Sequence, residues 1–315
     1  MRLLESLLHS IGRGSAVSSG RTSTCCFLPL VAALDGALVV ESAEKAEWEG
    51  TNEKQREFLA KIFQPCRPAM AKIPEIQSIS SGDAETINSW LAGHGFNIQL
   101  QPFAKSSFGV ASILDLSTLF RSPGQRSKLK GRDRNDYDAV TLYQHVDFWS
   151  LESSHHQSIA RIESNSEDVM YMTIAEKPLQ GFELLRACMD ITASLSDARI
   201  KQYSRVQFPM VTIREQPDLS WVLGLTSSSS SGMPMVIVQA LQQERFRMNE
   251  TGARTQASAA AEVLVRSARP PGFPPQPMII DRPFLLWIVR PDVPIPVFAA
   301  YVSYDTWQDP GDIHT

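Results

Sequence analysis

The chain has 315 residues, of which 43% are hydrophobic and 20% charged, so it can bury a sizeable core and is not globally disordered. Its 30 basic and 34 acidic side chains give a formal net charge of -4, which argues against a general nucleic-acid binder. The sequence holds no apolar run long enough to span a bilayer. We therefore predict a single domain over residues 1–315 that binds neither nucleic acid nor membrane.

The N-terminus and the cysteines bear on the compartment. Charged or polar residues interrupt the first segment at Glu5, His9 and Arg13, which is atypical of a signal peptide. An amphipathic helix fits better, with one apolar face made of Leu3, Leu4, Leu7, Leu8 and Ile11. Four cysteines are too few for a disulfide framework in a chain of this length, so we expect buried thiols at Cys25, Cys26, Cys66 and Cys188.

Helical patterns dominate the first third of the chain. In order, the sequence predicts a short strand and buried helix (25–40), a charged helix (44–63), a proline-broken strand and loop (66–83) and a helix ending at Gly93 or Gly95 (84–95). An apolar β segment (109–120) and a basic loop (122–136) follow.

Strands dominate the rest. Residues 137–174 are predicted as strands and 181–195 as a helix. The next segments are an alternating strand (204–213), a serine-rich linker (226–232) and a long strand (233–250). In the alternating strand one face would carry Val206, Phe208, Met210 and Thr212. Helices first and strands later indicate an α+β domain with mixed β-sheets.

Residues 252–266, GARTQASAAAEVLVR, alternate with period two. One set is small or apolar apart from Thr255, and the other set is mostly polar, as in a strand with one buried face. The first half of the inward set is almost all alanine, a poor strand former. Small side chains suit a strand that slides late into a narrow slot, and the set comprises Ala253, Thr255, Ala257, Ala259, Ala261, Val263 and Val265.

A proline-rich segment, RSARPPGFPPQP at 266–277, follows this strand pattern. Its five prolines forbid helix and central strand, so we predict an exposed, extended loop. After the loop, residues 278–304 predict two buried strands joined by a proline-rich turn.

The segments from 249 onward resemble the serpin family. NETGARTQASAAAEVLV is similar to the serpin hinge and reactive loop, and the Pro283-Phe284 pair resembles the start of a closing serpin strand. Weaker resemblances occur in the same order upstream, at CCFLPLVAALDGAL, TINSWLAGHGFNI and SRVQFPMVTIREQPDLSWVLGL. The resemblance implies a serpin-like α+β fold with N-terminal helices and an exposed reactive-centre loop at about 252–277.

The resemblance also implies a function. Serpins that inhibit are suicide substrates: a serine protease cleaves the loop, which then inserts into a β-sheet and traps the acyl-enzyme. Counting from Gly252 as the hinge glycine places the bait bond at Arg266-Ser267, which implies a trypsin-like target. A shifted register would place the bond near Ala268, and Arg269 is a further alternative although Pro270 follows it.

Several positions depart from the family pattern. The serines expected beside Pro29 are replaced by Leu28 and Val31, and the histidine expected before the hinge is Gln242. The hinge carries Ala253 and Arg254 in place of threonine and an acidic residue. The alternative is therefore a non-inhibitory binding or scaffold protein on the same fold.

No enzyme is expected, because phosphate-binding glycine loops and a nucleophile elbow are missing from the sequence. We also expect no cofactor, no metal site and a monomeric state. The resemblance implies an extracellular protein, and the lack of a clear signal peptide leaves a cytoplasmic location as the alternative.

Overall fold

The helices lie mostly in the first part of the chain. The computed structural model describes residues 20–40, 46–104, 108–116, 118–151, 154–200, 202–229, 232, 234–253 and 276–313. Its helices are α1 (Leu28–Val40), α2 (Glu53–Phe58), α3 (Ala84–Gly93) and α4 (Gly181–Ala193). α2 runs on through a π-helical segment (Leu59–Phe63), an α turn (Gln64–Cys66) and a 3-10 turn (Arg67–Lys72), and shorter 3-10 turns are Ser220–Val222 and Tyr304–Thr306. None of the helices so described is long and apolar enough to cross a membrane.

The strands, in chain order, are β1 (Ser23–Cys25), β2 (Ile76–Ser81), β3 (Gly109–Leu114), β4 (Thr118–Leu119), β5 (Gln125–Lys130), β6 (Asp136–Leu142), β7 (Val146–Leu151), β8 (Ser154–Glu163), β9 (Val169–Ile174), β10 (Leu195–Arg199), β11 (Tyr203–Pro209), β12 (Val211–Glu215), β13 (Thr226–Ser228), β14 (Pro234–Val236), β15 (Glu244–Asn249), β16 (Gly252–Ala253), β17 (Gln276–Ile279), β18 (Phe284–Val289) and β19 (Phe298–Val302).

These strands form three larger sheets and two ribbons. The largest sheet has the order β1-β19-β18-β9-β8-β7-β10, and a second sheet has the order β17-β11-β6-β5. The third, which we call the cleft sheet, has the order β12-β15-β16-β4. The ribbons pair β2 with β3 and β13 with β14. The β11–β17 pair is parallel and the β11–β6 pair is antiparallel, so the second sheet is mixed.

Local sequence explains where the helices begin. Asn52 caps α2 through a capping box with Gln55, and the Asp83 carboxylate accepts hydrogen bonds from the first backbone amides of α3. α1 is apolar instead, and Leu28, Val31 and Leu38 along its length are fully buried. The helix therefore lies inside the protein.

The core connects the sheets. Trp287 on β18 is fully buried and stacks on Tyr171 of β9, with ring centroids 5.3 Å apart. Its indole N–H donates a 2.9 Å hydrogen bond to Thr192 Oγ1 on α4, so the polar end of the ring is satisfied. Burying such a ring fixes α4 against the largest sheet.

The structure confirms the predicted short strand and buried helix at 25–40, the helix at 84–95 and the two closing strands. Three expectations in the first half are wrong. The charged helix expected at 44–63 begins only at Glu53, because Glu49 is extended and forms a β-bridge with Thr226. Residues 66–72 are helical because Pro65 and Pro68 occupy first-turn positions, where the missing N–H costs nothing. The expected basic loop contains β5, an edge strand whose basic side chains Arg126 and Lys128 pair with Glu250 and Asp138.

Three predictions between residues 204 and 250 are also corrected. The expected single strand at 204–213 is two strands in different sheets, so Thr212 leaves the inward face while Val211 and Ile213 are buried. The expected linker begins with β13, where Ser227 Oγ donates to the Glu47 carbonyl at 2.9 Å. The expected long strand is only β14 and β15, and residues 237–243 between them border a cleft.

Candidate functional site

The predicted hinge begins in the cleft sheet. β16 pairs antiparallel with β15, placing Ala253 opposite Met248, and antiparallel with β4, placing Ala253 opposite Thr118. Ala253 is 4% exposed. Ala253, the last described residue before residue 276, therefore lies in a strand that is paired on both sides.

Gly252 is required by its backbone conformation and by its neighbours. Its φ is +144°, which residues with a side chain rarely adopt. An added Cβ would lie 2.5 Å from the Thr118 carbonyl oxygen and 2.7 Å from Leu119 Cα. Only glycine therefore allows β16 to approach β4 this closely.

A cleft of about 990 Å³ continues the line of β16. One wall is formed by β3 and Thr118, and the opposite wall by residues 234–247. α1 supplies an apolar floor through Pro29, Leu30, Ala33, Leu34 and Ala37. Because β16 is antiparallel to both neighbours, a chain extended beyond Ala253 in the same direction would follow this cleft.

The walls have unpaired backbone edges. β3 pairs with β2 on its far side, and within the described ranges no backbone hydrogen bond joins residues 238–243 to β3. Val238 and Leu241 on this wall are 67% and 51% exposed. Edges of this kind can accept an additional strand through main-chain hydrogen bonds.

Residues 96–103, which link α3 to β3, are held to the opposite wall by glutamine side chains. The Asn97 amide donates to Gln243 Oε1 at 2.9 Å, and the Gln101 amide donates to Gln239 Oε1 at 2.9 Å. Gln239 Nε2 in turn donates to the Gln101 carbonyl at 3.2 Å. We call these contacts the glutamine clasp, and they connect the segment that precedes β3 to the opposite wall of the cleft.

Glu244, which sequence reasoning missed, lies among the cleft-lining residues and is 7% exposed. Its Oε1 accepts hydrogen bonds from the Cys26 amide at 3.1 Å and from Gln242 Nε2. Burial is the main reason why its pKa rises to about 7. The signal was available, because period two in β15 places Glu244 on the same face as Phe246 and Met248.

An ion cluster lies next to β4 and approaches it at Thr118. The Arg290 guanidinium donates to Asp168 at 2.7 Å and to Glu75 at 2.7 and 2.8 Å. Asp168 has a side chain that is only 1% exposed, and Thr118 Oγ1 lies 3.5 Å from its carboxylate. The cluster thereby connects β18, the start of β9 and the strand that faces the hinge.

The structure places the remaining predicted site residues only in part. Gly252 and Ala253 lie together in β16, whereas Thr255, Ala257, Ala259, Ala261, Arg266 and Ser267 lie outside the described residues. After them the chain returns as β17, which pairs with β11 in the second sheet. Residues 254–275 therefore connect two different sheets, and all four cysteines are buried thiols as predicted.

Comparison with solved structures identifies the fold of this chain. No protein-family model and no curated protein matches the chain. Among solved structures, Serpin48 of the insect Tenebrio molitor is similar at 13% identity and a TM-score of 0.56, covering 90% of this chain and 92% of that one. Mouse protein-Z dependent protease inhibitor is similar at 9% identity and a TM-score of 0.57, covering 94% of this chain and 93% of that one.

A thermophilic serpin, Tengpin, is similar at 12% identity and a TM-score of 0.51, with 91% of this chain and 90% of that chain covered. Identities this low establish the fold alone. They confirm the predicted α+β architecture with mixed sheets as a divergent form of the fold that these three structures share.

Proposed function

We propose that this chain, which has the serpin fold, is a protease inhibitor that acts as a suicide substrate and not as an enzyme. The observation that carries the proposal is the position of β16 at one end of the cleft, between two strands to which it is antiparallel. The residues after Ala253 have the alternating pattern of a strand that such a cleft accommodates. Insertion after cleavage would be a case of strand addition that releases conformational strain.

The pairing of β16 with β15 gives the expected register. Extending it from Ala253 opposite Met248 places Thr255 opposite Phe246, and Ala257 opposite Glu244. The next inward residues, Ala259 and Ala261, would face Gln242 and Ala240. The alanines would thus meet the part of the wall where Glu244 and Gln242 fill space, which explains why small side chains stand there.

Within this proposal the bait bond is Arg266-Ser267, and a trypsin-like serine protease is the target. The alternatives are a bond near Ala268, from a shifted register, and Arg269. We further propose a monomer that forms one domain over 1–315 and acts outside the cell, with a cytoplasmic location as the alternative.

A denaturing gel tests the proposal. The protein is mixed with trypsin, and an inhibitor of this kind yields a covalent complex at the summed mass. Arg266→Ala should abolish that complex, and Arg269→Ala should leave it intact. Cleavage of the loop without any complex would contradict inhibition, and loss of the complex in Arg269→Ala alone would relocate the bait bond.

A non-inhibitory binding protein on the same fold is the second candidate. The glutamine clasp favours it, because it holds the segment that precedes β3 to the wall from which strand insertion must separate β3. Leu28 and Val31, both fully buried, also replace the polar residues that the family has under this sheet. Under this alternative, cleavage of the loop would leave the melting temperature unchanged.

A further inference from the structure

Glu244 is an acid buried where the cleft sheet meets β1 and α1. Gln242 Nε2 donates to the Glu244 carboxylate and also to the Cys26 carbonyl at 2.7 Å, so three residues form one small network. Oε2 of Glu244 and Oγ1 of Thr24 are both buried, and neither has a hydrogen-bond partner among the described residues. The carboxyl group is therefore only half satisfied in the closed cleft.

The charges around Glu244 do not compensate it. Glu215 on β12 is its direct cross-strand neighbour, and the pKa of Glu215 is raised by burial and, against the opposing effect of Arg21, by Asp305. Arg21 approaches Glu215 at 3.9 Å, but its side chain is 82% exposed. The thiols of Cys25 and Cys26 have raised pKa values, because of burial and then Glu244, and stay neutral.

The remaining charged residues of β15 and β12 follow the opposite face. Strand alternation directs Arg245, Arg247 and Arg214 away from the side on which Glu244 and Glu215 lie. Within the described part of the chain, no arginine or lysine forms an ion pair with Glu244, and the nearest pair is the one between Arg21 and Glu215. An ionised Glu244 is thus a buried charge without a cationic partner.

Burial is the main reason why Glu244 binds its proton tightly in the closed cleft. Desolvation and then Glu215 raise the pKa of Glu244, while the hydrogen bonds from Gln242 and the Cys26 amide lower it, and the outcome is about 7. A carboxyl group exposed to water has its ordinary pKa of about 4.5. The closed cleft therefore binds the proton more tightly than an opened, hydrated cleft does, and ionisation favours opening.

We propose that Glu244 is a proton-controlled latch between β15 and the floor of the cleft: protonated, it holds β15 against the junction of β1 and α1, and ionised, it favours release of β15 from that floor. The latch regulates the cleft that the proposed function uses, and in that respect it rests on the proposed function. With the two pKa values above, the opening equilibrium rises about tenfold between pH 6 and pH 8.

Hydrogen exchange on the intact protein, without any protease, tests the latch. After correction for intrinsic exchange rates, opening of β15 should increase about tenfold from pH 6 to pH 8 in the wild-type protein. Glu244→Gln keeps the shape and should remove that increase. Glu85→Gln, an exposed carboxylate at the start of α3, should retain it.

A second variant keeps the test decisive if Glu244→Gln does not fold. Gln242→Met removes an amide group that donates a hydrogen bond to Glu244 and lowers its pKa, so it should move the midpoint of the pH dependence upward. An unchanged pH dependence in Glu244→Gln, or an unmoved midpoint in Gln242→Met, would overturn the latch. Because no protease is present, this result is independent of whether a covalent complex forms.

Discussion

Gly252 and Leu119 approach so closely across the β16–β4 pair that an added Cβ on Gly252 would lie 2.7 Å from Leu119 Cα. The contact places the first two residues of the predicted hinge between β15 and β4 before any cleavage has occurred. The direction of the chain at Ala253 is therefore already that of the cleft.

Gly252→Ala should lower the free energy of unfolding by about 2 kcal/mol, because the new Cβ combines a strained φ with contacts to the backbone of β4. Urea denaturation measures the change. The matched control is Gly82→Ala, since an added Cβ there meets no atom within 4 Å. Equal stability of the two variants would contradict the close approach.

Ala257→Glu should convert the proposed inhibitor into a substrate. In the extended register residue 257 enters beside Glu244, so a second buried carboxyl group there obstructs insertion through its size and its like charge. Ser258→Glu is the control, because residue 258 lies on the outward set. Complex yield on a denaturing gel measures both, and a yield unaffected by Ala257→Glu would contradict the register.

Arg290→Met should destabilise the protein by roughly 3–5 kcal/mol, because it leaves Asp168 as a buried, unpaired carboxylate. Lys72→Met is the control: it breaks an exposed pair with Asp292 and should cost less than about 1 kcal/mol. Thermal unfolding compares them. A cost for Arg290→Met as small as the control's would show that the cluster does not support β4.

The ion pair between Arg290 and Glu75 predicts that the stability of the protein depends on pH. The hydrogen bond from Arg290 lowers the pKa of Glu75, so the stabilisation is present above the unfolded pKa and is lost as the pH falls through the folded value. The stability difference between wild type and Arg290→Met should therefore shrink in acid. Urea denaturation at pH 7 and pH 3 measures it, and a constant difference would be contrary to this assignment.

Replacing both Gln239 and Gln243 with alanine should release residues 96–103. Each side chain contributes about 1 kcal/mol through its hydrogen bonds, so the Asn97 and Gln101 amides should exchange about tenfold faster or more. Gln77→Ala, at an exposed position of β2, serves as the control. Unchanged exchange at both amides would contradict the glutamine clasp.

Sequence reasoning reached the fold through patterns that are local and strong. The apolar runs of α1, β18 and β19 each determine one buried element. It failed where a tertiary contact decides the outcome. β5 is charged along its exposed edge and is a strand because β6 pairs with it, and residues 204–213 change sheet at Met210.

The candidate site, like the fold, was predicted from the sequence only in part. The alternation placed Ala253 in the inward set and Gly252 in the outward set, and both residues are buried in β16, so the alternation itself stays a prediction. Neither Glu244 nor Arg290 was expected, because their partners Cys26 and Glu75 are more than two hundred residues away in sequence. A charged residue on an otherwise apolar strand face was the only signal for Glu244.

The melting temperature before and after a single cut within residues 254–275 tests the central claim most directly. If the cut loop inserts along the cleft as a new strand, the melting temperature should rise by about 10 °C or more, since the added pairing contributes several kcal/mol. An unchanged or lower melting temperature after cleavage would contradict insertion and favour the non-inhibitory binding protein.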